Sequence, residues 1–260
     1  MPPAPRSAAL AAALLLLGAA TGCSVLAAPD TGTPGVPTAV PPKQVVLSAA
    51  RALDDAGGAR IEVVREGPEG RRTASGTLVW GPRDEAALTV TDEAGTGQLR
   101  SENGAIDLVY QGGAAKHADR AGAESLDPTA GPDPDGYAGG WTTALVTGPG
   151  SRAYAIAQTV PLVSLGGEQL AGTTVAHYRG SASVDEFFGA DRESSPQRRA
   201  AAVDWYRQRG VTAIGFDVWV GPDERLLRLR ETARGSAGTT VTTTDVPSSG
   251  TGDASPAADG

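Results

Sequence analysis

The chain is poor in the residues that usually carry covalent or metal chemistry. It has one cysteine, Cys23, and two histidines, His117 and His177. A lone cysteine forms no internal disulfide, so an exported fold of this composition must rest on its apolar core. A zinc site asks for three or four ligands at constrained spacing, which two histidines and one thiol do not supply. No Gly-x-Ser-x-Gly is present, and neither Lys43 nor Lys116, the only lysines, has a serine three positions earlier. A nucleophile elbow and a Ser-x-x-Lys pair are therefore both excluded. No GxGxxG or GxxxxGK follows a strand pattern and opens a helix, so there is no phosphate-cradling loop of the usual kind. The formal net charge of −8 speaks against nucleic acid, and against an anionic membrane face recognised through charge. No cofactor, metal or catalytic residue is expected, and the chain reads as a non-enzyme. Aromatics make up only 5% of the residues, while glycine (35) and proline (19) are abundant.

What the chain does have begins with Leu10 to Cys23, an apolar run that ends in the cysteine. Arg6 supplies a positive start, Leu14 to Leu17 an apolar centre, and Ala19, Ala20 and Gly22 small residues before a cleavage point, the layout of a secretory signal. The run is short for a membrane span. Ala20-Thr21-Gly22-Cys23 resembles a bacterial lipobox, with Ala20 where that motif usually has leucine. The alternative is an ordinary signal with an incidental cysteine, and the lipobox reading carries more weight. It implies a diacylglyceryl group on Cys23 and an extracytoplasmic protein anchored to the cell membrane, since two acyl chains anchor stably where one does not. Residues 1–22 are then signal peptide and 23–42 a lipidated tether kept extended by Pro29, Pro34, Pro37, Pro41 and Pro42. Residues 43–246 form the domain and 247–260 a Pro, Ser and Gly tail with too little apolar surface to order itself.

The domain opens with a helical face of Val46, Ala49, Ala50, Leu53 and Ala56, stopped by Gly57-Gly58. Alternating segments follow at 59–66, 73–80, 86–91, 98–101 and 105–110, each bounded by turn residues. Short connections make a meander the economical topology. Ala118 to Leu126 reads as a short helix, Asp127 to Gly136 as a loop and Trp141 to Val146 as a strand fragment. A second main helix starts near Ser151, and Thr173 to Ser181 alternates again. Ser183 and Glu186 have capping-box spacing, and Pro196 sits at the first position of a helix running to Gly210. Ala213 to Val220 and Arg225 to Thr232 form a hairpin, with Ile214, Phe216, Val218 and Val220 on one face of the first strand and Leu227 and Leu229 facing alike on the second. Thr239 to Val246 is expected as an edge strand.

The opening VVLSAARALDDAGGARIEVV, the middle stretch Gly172 to Gly180 and FDVWVGPDERLLRLRET from Phe216 resemble the LolA/LppX-like bacterial lipoproteins and lipid carriers. The resemblance implies an α+β fold, a curved antiparallel half-barrel with helices on its concave side, and an apolar cavity between the two layers that takes acyl chains. It further implies transport of a lipid or lipoprotein within the cell envelope, or envelope sensing through a protein partner. The chain departs from the pattern after Val246, where Pro247-Ser248-Ser249-Gly250 intervenes.

On this reading the candidate ligand cavity is lined by Ile61, Val63, Leu78, Leu88, Val90, Leu108, Phe216 and Val218. A filled core is the competing reading, and the small side chains of SAARAL, RAYAIAQ and RRAAAV tip the balance toward open space. His177 reads as decoration of a strand face. Asp127, Asp133 and Asp135 could offer oxygens to calcium but lack EF-hand spacing, so a solvated loop is favoured. Trp219 is either a ligand-stacking ring or, the favoured reading, packing against the opposite layer.

Overall fold

The computed structural model describes residues 40–81, 85–92, 95–102, 105–111, 115–116, 145, 147–192, 194 and 196–247. The leader, Cys23, the tether up to residue 39, His117, the three loop aspartates, the Ala118 to Leu126 helix, most of Trp141 to Val146 and the tail beyond Pro247 lie outside them; Pro42, expected as the end of the tether, already belongs to the first helix.

Helix α1 (Pro42–Asp55) begins on a proline in its first turn and buries Val46, Ala49 and Ala50. Its end is fixed by Gly57 at φ 69° and by Trp80, whose indole N–H donates to the Asp54 carbonyl at 3.1 Å. That bond satisfies one of the carbonyls a helix terminus leaves open. Helix α2 (Pro149–Thr159) lies against α1. Gly150 is what allows the approach, because a Cβ there would come within 2.0 Å of the Asp54 carboxylate.

Among the described residues eleven antiparallel strands form one open sheet. They are β1 (Gly58–Gly67), β2 (Gly70–Val79), β3 (Glu85–Asp92), β4 (Gly95–Glu102), β5 (Ala105–Tyr110), β6 (Ala115–Lys116), β7 (Val163–Leu170), β8 (Thr173–Ser183), β9 (Ala213–Val220), β10 (Leu226–Gly235) and β11 (Gly238–Asp245). Their order is β6-β5-β4-β3-β2-β1-β11-β10-β9-β8-β7, two meanders joined through β1 and β11. A twisted open sheet of this width curls. Two short helices, α3 (Val184–Ala190) and α4 (Pro196–Gln208), sit between β8 and β9 in the chain. The capping box expected at α3 is present, with Ser183 and Glu186 satisfying each other's backbone N–H groups.

Four details depart from the sequence reading. β11 is no edge strand: it pairs with β10 on one side and β1 on the other, at the centre of the sheet. The true edge there is β7, which the alternation pattern missed because Gly166 and Gly167 interrupt it and nearly all of its residues are exposed. A register shift between Leu226 and Arg228 turns Leu226 into the core in place of Leu227. Trp219 does not pack against the opposite layer, because it lies on the sheet face opposite Val218 and Val220 and stacks on His177.

Candidate functional site

The inner face of the sheet has two apolar regions of different construction. In the first, Phe216, Val218, Ile214 and Leu229 from β9 and β10 pack with Val46 of α1, Ile156 of α2, Phe187 and Phe188 of α3 and Tyr206 of α4. The Phe187 and Phe216 rings lie 4.6 Å apart. Gly180 of β8 leaves room for Val160, whose methyl would meet a Cβ there at 2.2 Å. This region is a filled core.

The second lies on β1 to β5. Ile61, Gly76, Leu88, Leu99 and Leu108 stand opposite one another across five consecutive strands. Val63, Ala74, Val90, Gly97 and Tyr110 make the adjacent row, and Leu78 and Ala86 begin a third. The resulting apolar plate is buried, and among the described residues its apolar partners are its own members together with Leu145 and Trp80. The sequence-derived cavity residues therefore divide: Ile61, Val63, Leu78, Leu88, Val90 and Leu108 share the plate, whereas Phe216 and Val218 belong to the helix-filled core. Their common inward orientation was legible from alternation; the division between the two regions was not.

A polar seam separates the regions. One register row runs Arg72, Arg65, Thr242, Glu231, Phe216, Gly180 across β2, β1, β11, β10, β9 and β8. Arg72, Arg65, Thr242 and Glu231 are all buried, as is Thr244 beside them. Arg152 of α2 reaches Glu231, with Nε donating to Oε1 at 2.7 Å and Nη2 donating to the same oxygen. Burial opposes the Arg152 charge, and the adjoining Glu231 carboxylate outweighs it, leaving the guanidinium above its usual range. Burial also pushes the Tyr206 phenol up, and Glu231 adds to the effect. A cleft of about 180 Å³ lined by Thr147, Ser151, Arg152, Ala155, Phe187 and Asp191 opens beside this pair. It is a shallow crevice without room for a water molecule, and none of the eight expected cavity residues lines it.

The outer face carries a compact polar cluster. The His177 ring stacks on Trp219 at 4.4 Å, with Nε2 at 2.7 Å from Asp217 Oδ1 and Nδ1 at 3.3 Å from Glu168 Oε2. Trp219 Nε1 donates to Glu168, and Arg179 Nε donates to Asp217 at 2.6 Å. Each polar group is engaged by a neighbour, the pattern of a strand-face fastening. Among the described residues no group of three or more His, Cys, Asp or Glu side chains could hold a metal ion, and no helix is long and apolar enough to cross a membrane.

No protein-family model and no curated protein sequence matches the chain. Among solved structures it is similar to the lipoprotein LppX of Mycobacterium tuberculosis, at 14% identity and a TM-score of 0.44 over 78% of this chain and 94% of that one. It is similar to LprF from Mycobacterium bovis at 12% identity and a TM-score of 0.45, over 78% and 90%. A LolA superfamily protein from Nitrosomonas europaea follows at 7% identity and a TM-score of 0.25, over 80% and 92%. The fold described above is α+β, one open antiparallel sheet with helices packed against part of one face.

Proposed function

We propose that the chain is an extracytoplasmic lipoprotein that holds an acyl-bearing lipid or lipoprotein against the β1 to β5 plate and carries it within the cell envelope. One observation supports this most: the inward side chains of five consecutive strands, Ile61, Leu88, Leu99 and Leu108 among them, form one continuous apolar surface. A hydrocarbon chain is the natural complement of such a surface, each buried CH₂ contributing about 0.8 kcal/mol, so about ten methylenes reach micromolar affinity. No chemical step is required of the protein. In this reading residues 1–22 are removed as a signal peptide, Cys23 receives the diacylglyceryl group, and residues 23–42 confine the domain near its membrane. Protein purified without detergent should release lipid into organic solvent, and the stripped protein should bind a fluorescent fatty acid saturably, with Leu108→Arg weakening binding at least tenfold. Absence of both extractable lipid and binding contradicts the reading. Growth with labelled palmitate should label the wild-type chain and not Cys23→Ser.

A second reading, a non-enzymatic envelope-sensing or interaction module, draws on β7. This edge strand exposes Val163 at 56% and Leu165 at 49%, and an unpaired edge accepts an added strand from a partner. Crosslinking in cells separates the readings: a stoichiometric protein partner on β7 with no bound lipid favours the second.

A further inference from the structure

The polar seam contains a buried guanidinium, that of Arg65, which no carboxylate among the described residues contacts. Arg65 is 4% exposed and, among the described residues, makes no hydrogen bond or ion pair. Its guanidinium lies 5.1 Å from the centre of the Trp205 ring. Trp205, 6% exposed, has a buried indole N–H with no hydrogen-bond partner among the described residues. Arg209 covers the same ring at 3.8 Å. Arg72 stands opposite Arg65 across the β1/β2 ladder and adds positive charge to the same place. Among the described residues the nearby carboxylates are committed: Glu231 to Arg152, and Glu69 to Arg209 at 3.5 Å. Burial pulls the Arg65 guanidinium below its usual range; Tyr206 and Glu69 oppose it, and Arg72 and Arg209 add smaller contributions in the direction of burial.

Arginine and indole nitrogen both donate and cannot accept. A buried cluster of unmet donors is costly unless something brings acceptors to it. Water accepts but carries no charge. A tetrahedral oxyanion supplies several acceptors and the compensating negative charge, and guanidinium geometry suits it. The seam also borders the apolar plate, since Arg65 is two residues along β1 from Val63, on the same face. Arg209, with about a quarter of its side chain exposed, marks the side that solvent reaches.

We propose that Arg65, Trp205 and Arg209 form a site for the phosphate of an anionic lipid headgroup, placed so that the acyl chain runs onto the β1 to β5 plate. The inference rests on the lipid-binding reading for the chain and stands apart from it for the phosphate. The site selects anionic over neutral amphiphiles of equal length. It also explains why Arg65 keeps an inward register position beside the apolar plate.

The test uses the full chain and three probes: hexadecyl phosphate, hexadecanol and inorganic phosphate. Hexadecyl phosphate should bind at least tenfold more tightly than hexadecanol, and Arg65→Met should remove that difference while leaving hexadecanol affinity unchanged. Arg209→Met, at a partly buried position, should reduce the preference several-fold. Arg65→Met should also raise the melting temperature of the lipid-free protein, because it removes a buried charge without a partner. Equal affinity for the two hexadecyl probes, or a preference untouched by both variants, overturns the phosphate site while leaving the lipid reading intact. A fall in lipid-free melting temperature on Arg65→Met makes the residue a structural cation and overturns it too. Binding of inorganic phosphate that Arg65→Met abolishes, with neither hexadecyl probe bound, keeps the anion site and defeats the lipid reading.

Discussion

The two halves of the sheet differ in the described elements that pack on them. On β8 to β10 the inward side chains meet four helices, and aromatic rings from α3 and α4 fill the space over Phe216. On β1 to β5 the inward side chains are as fully buried, yet the described apolar groups that touch them belong almost wholly to the same strands. Burial alone therefore does not separate a structural core from a binding surface. Among the described residues the two regions differ in which elements supply apolar partners, four helices over β8 to β10 and Leu145 with Trp80 over β1 to β5. The seam of Arg65, Thr242, Thr244 and Glu231 keeps the two regions distinct, because neither apolar cluster extends across it.

The sharpest way to break this comparison is to delete matched side chains on either side of the seam and measure stability by chemical denaturation. Phe216→Ala empties a position packed from both layers and should cost about 4 kcal/mol. Glu231→Ala leaves the Arg152 charge buried alone and should cost about 3 kcal/mol, whereas exchanging the pair together for apolar residues of similar volume should cost far less. Leu88→Ala in the plate should cost about 2 kcal/mol in lipid-free protein, the lower end of the range for such deletions, while lowering lipid retention severalfold. Equal costs for Phe216→Ala and Leu88→Ala, with lipid retention unchanged, would make the plate an ordinary core. Ser183→Ala removes the α3 cap and should cost about 1 kcal/mol without touching lipid retention. The same cap carries a pH dependence. Its hydrogen bonds from Ser183 hold the Glu186 carboxyl below the usual range, so the contribution is present above the ordinary glutamate pKa and is lost as pH falls through the lowered value. Circular dichroism of α3-dependent unfolding across that acidic window, with Glu186→Gln as control, checks the sign.

Much of this architecture was legible in the chain. Alternation placed Ile61, Val63, Leu88, Leu108, Phe216 and Val218 on an inward face because each strand keeps a period of two and turn residues bound it. What alternation could not carry was the pairing of β1 with β11, a contact between strands distant in sequence, and so the last strand was read as an edge. The charged seam was overlooked for a different reason. Arg65 continues the inward register of Ile61 and Val63, and Glu231 that of Leu229, but a charge in a strand is ordinarily assigned to solvent regardless of register. Trusting register over residue type would have found both. The β-bulge at Leu226 and the glycine-broken edge strand β7 break periodicity locally, where a pattern reading has least to hold.

The central claim is that the plate, and not the helix-filled core, is the surface a ligand occupies. Photolysis of a diazirine-bearing palmitate on the purified full chain, followed by peptide mapping, tests it most directly. The account predicts saturable adducts on the inward residues of β1 to β5, on peptides containing Ile61, Leu88 or Leu108, and their loss in Leu108→Arg. Adducts confined to peptides of β8 to β10 or to the outer face around Trp219, or no saturable labelling at all, would contradict it.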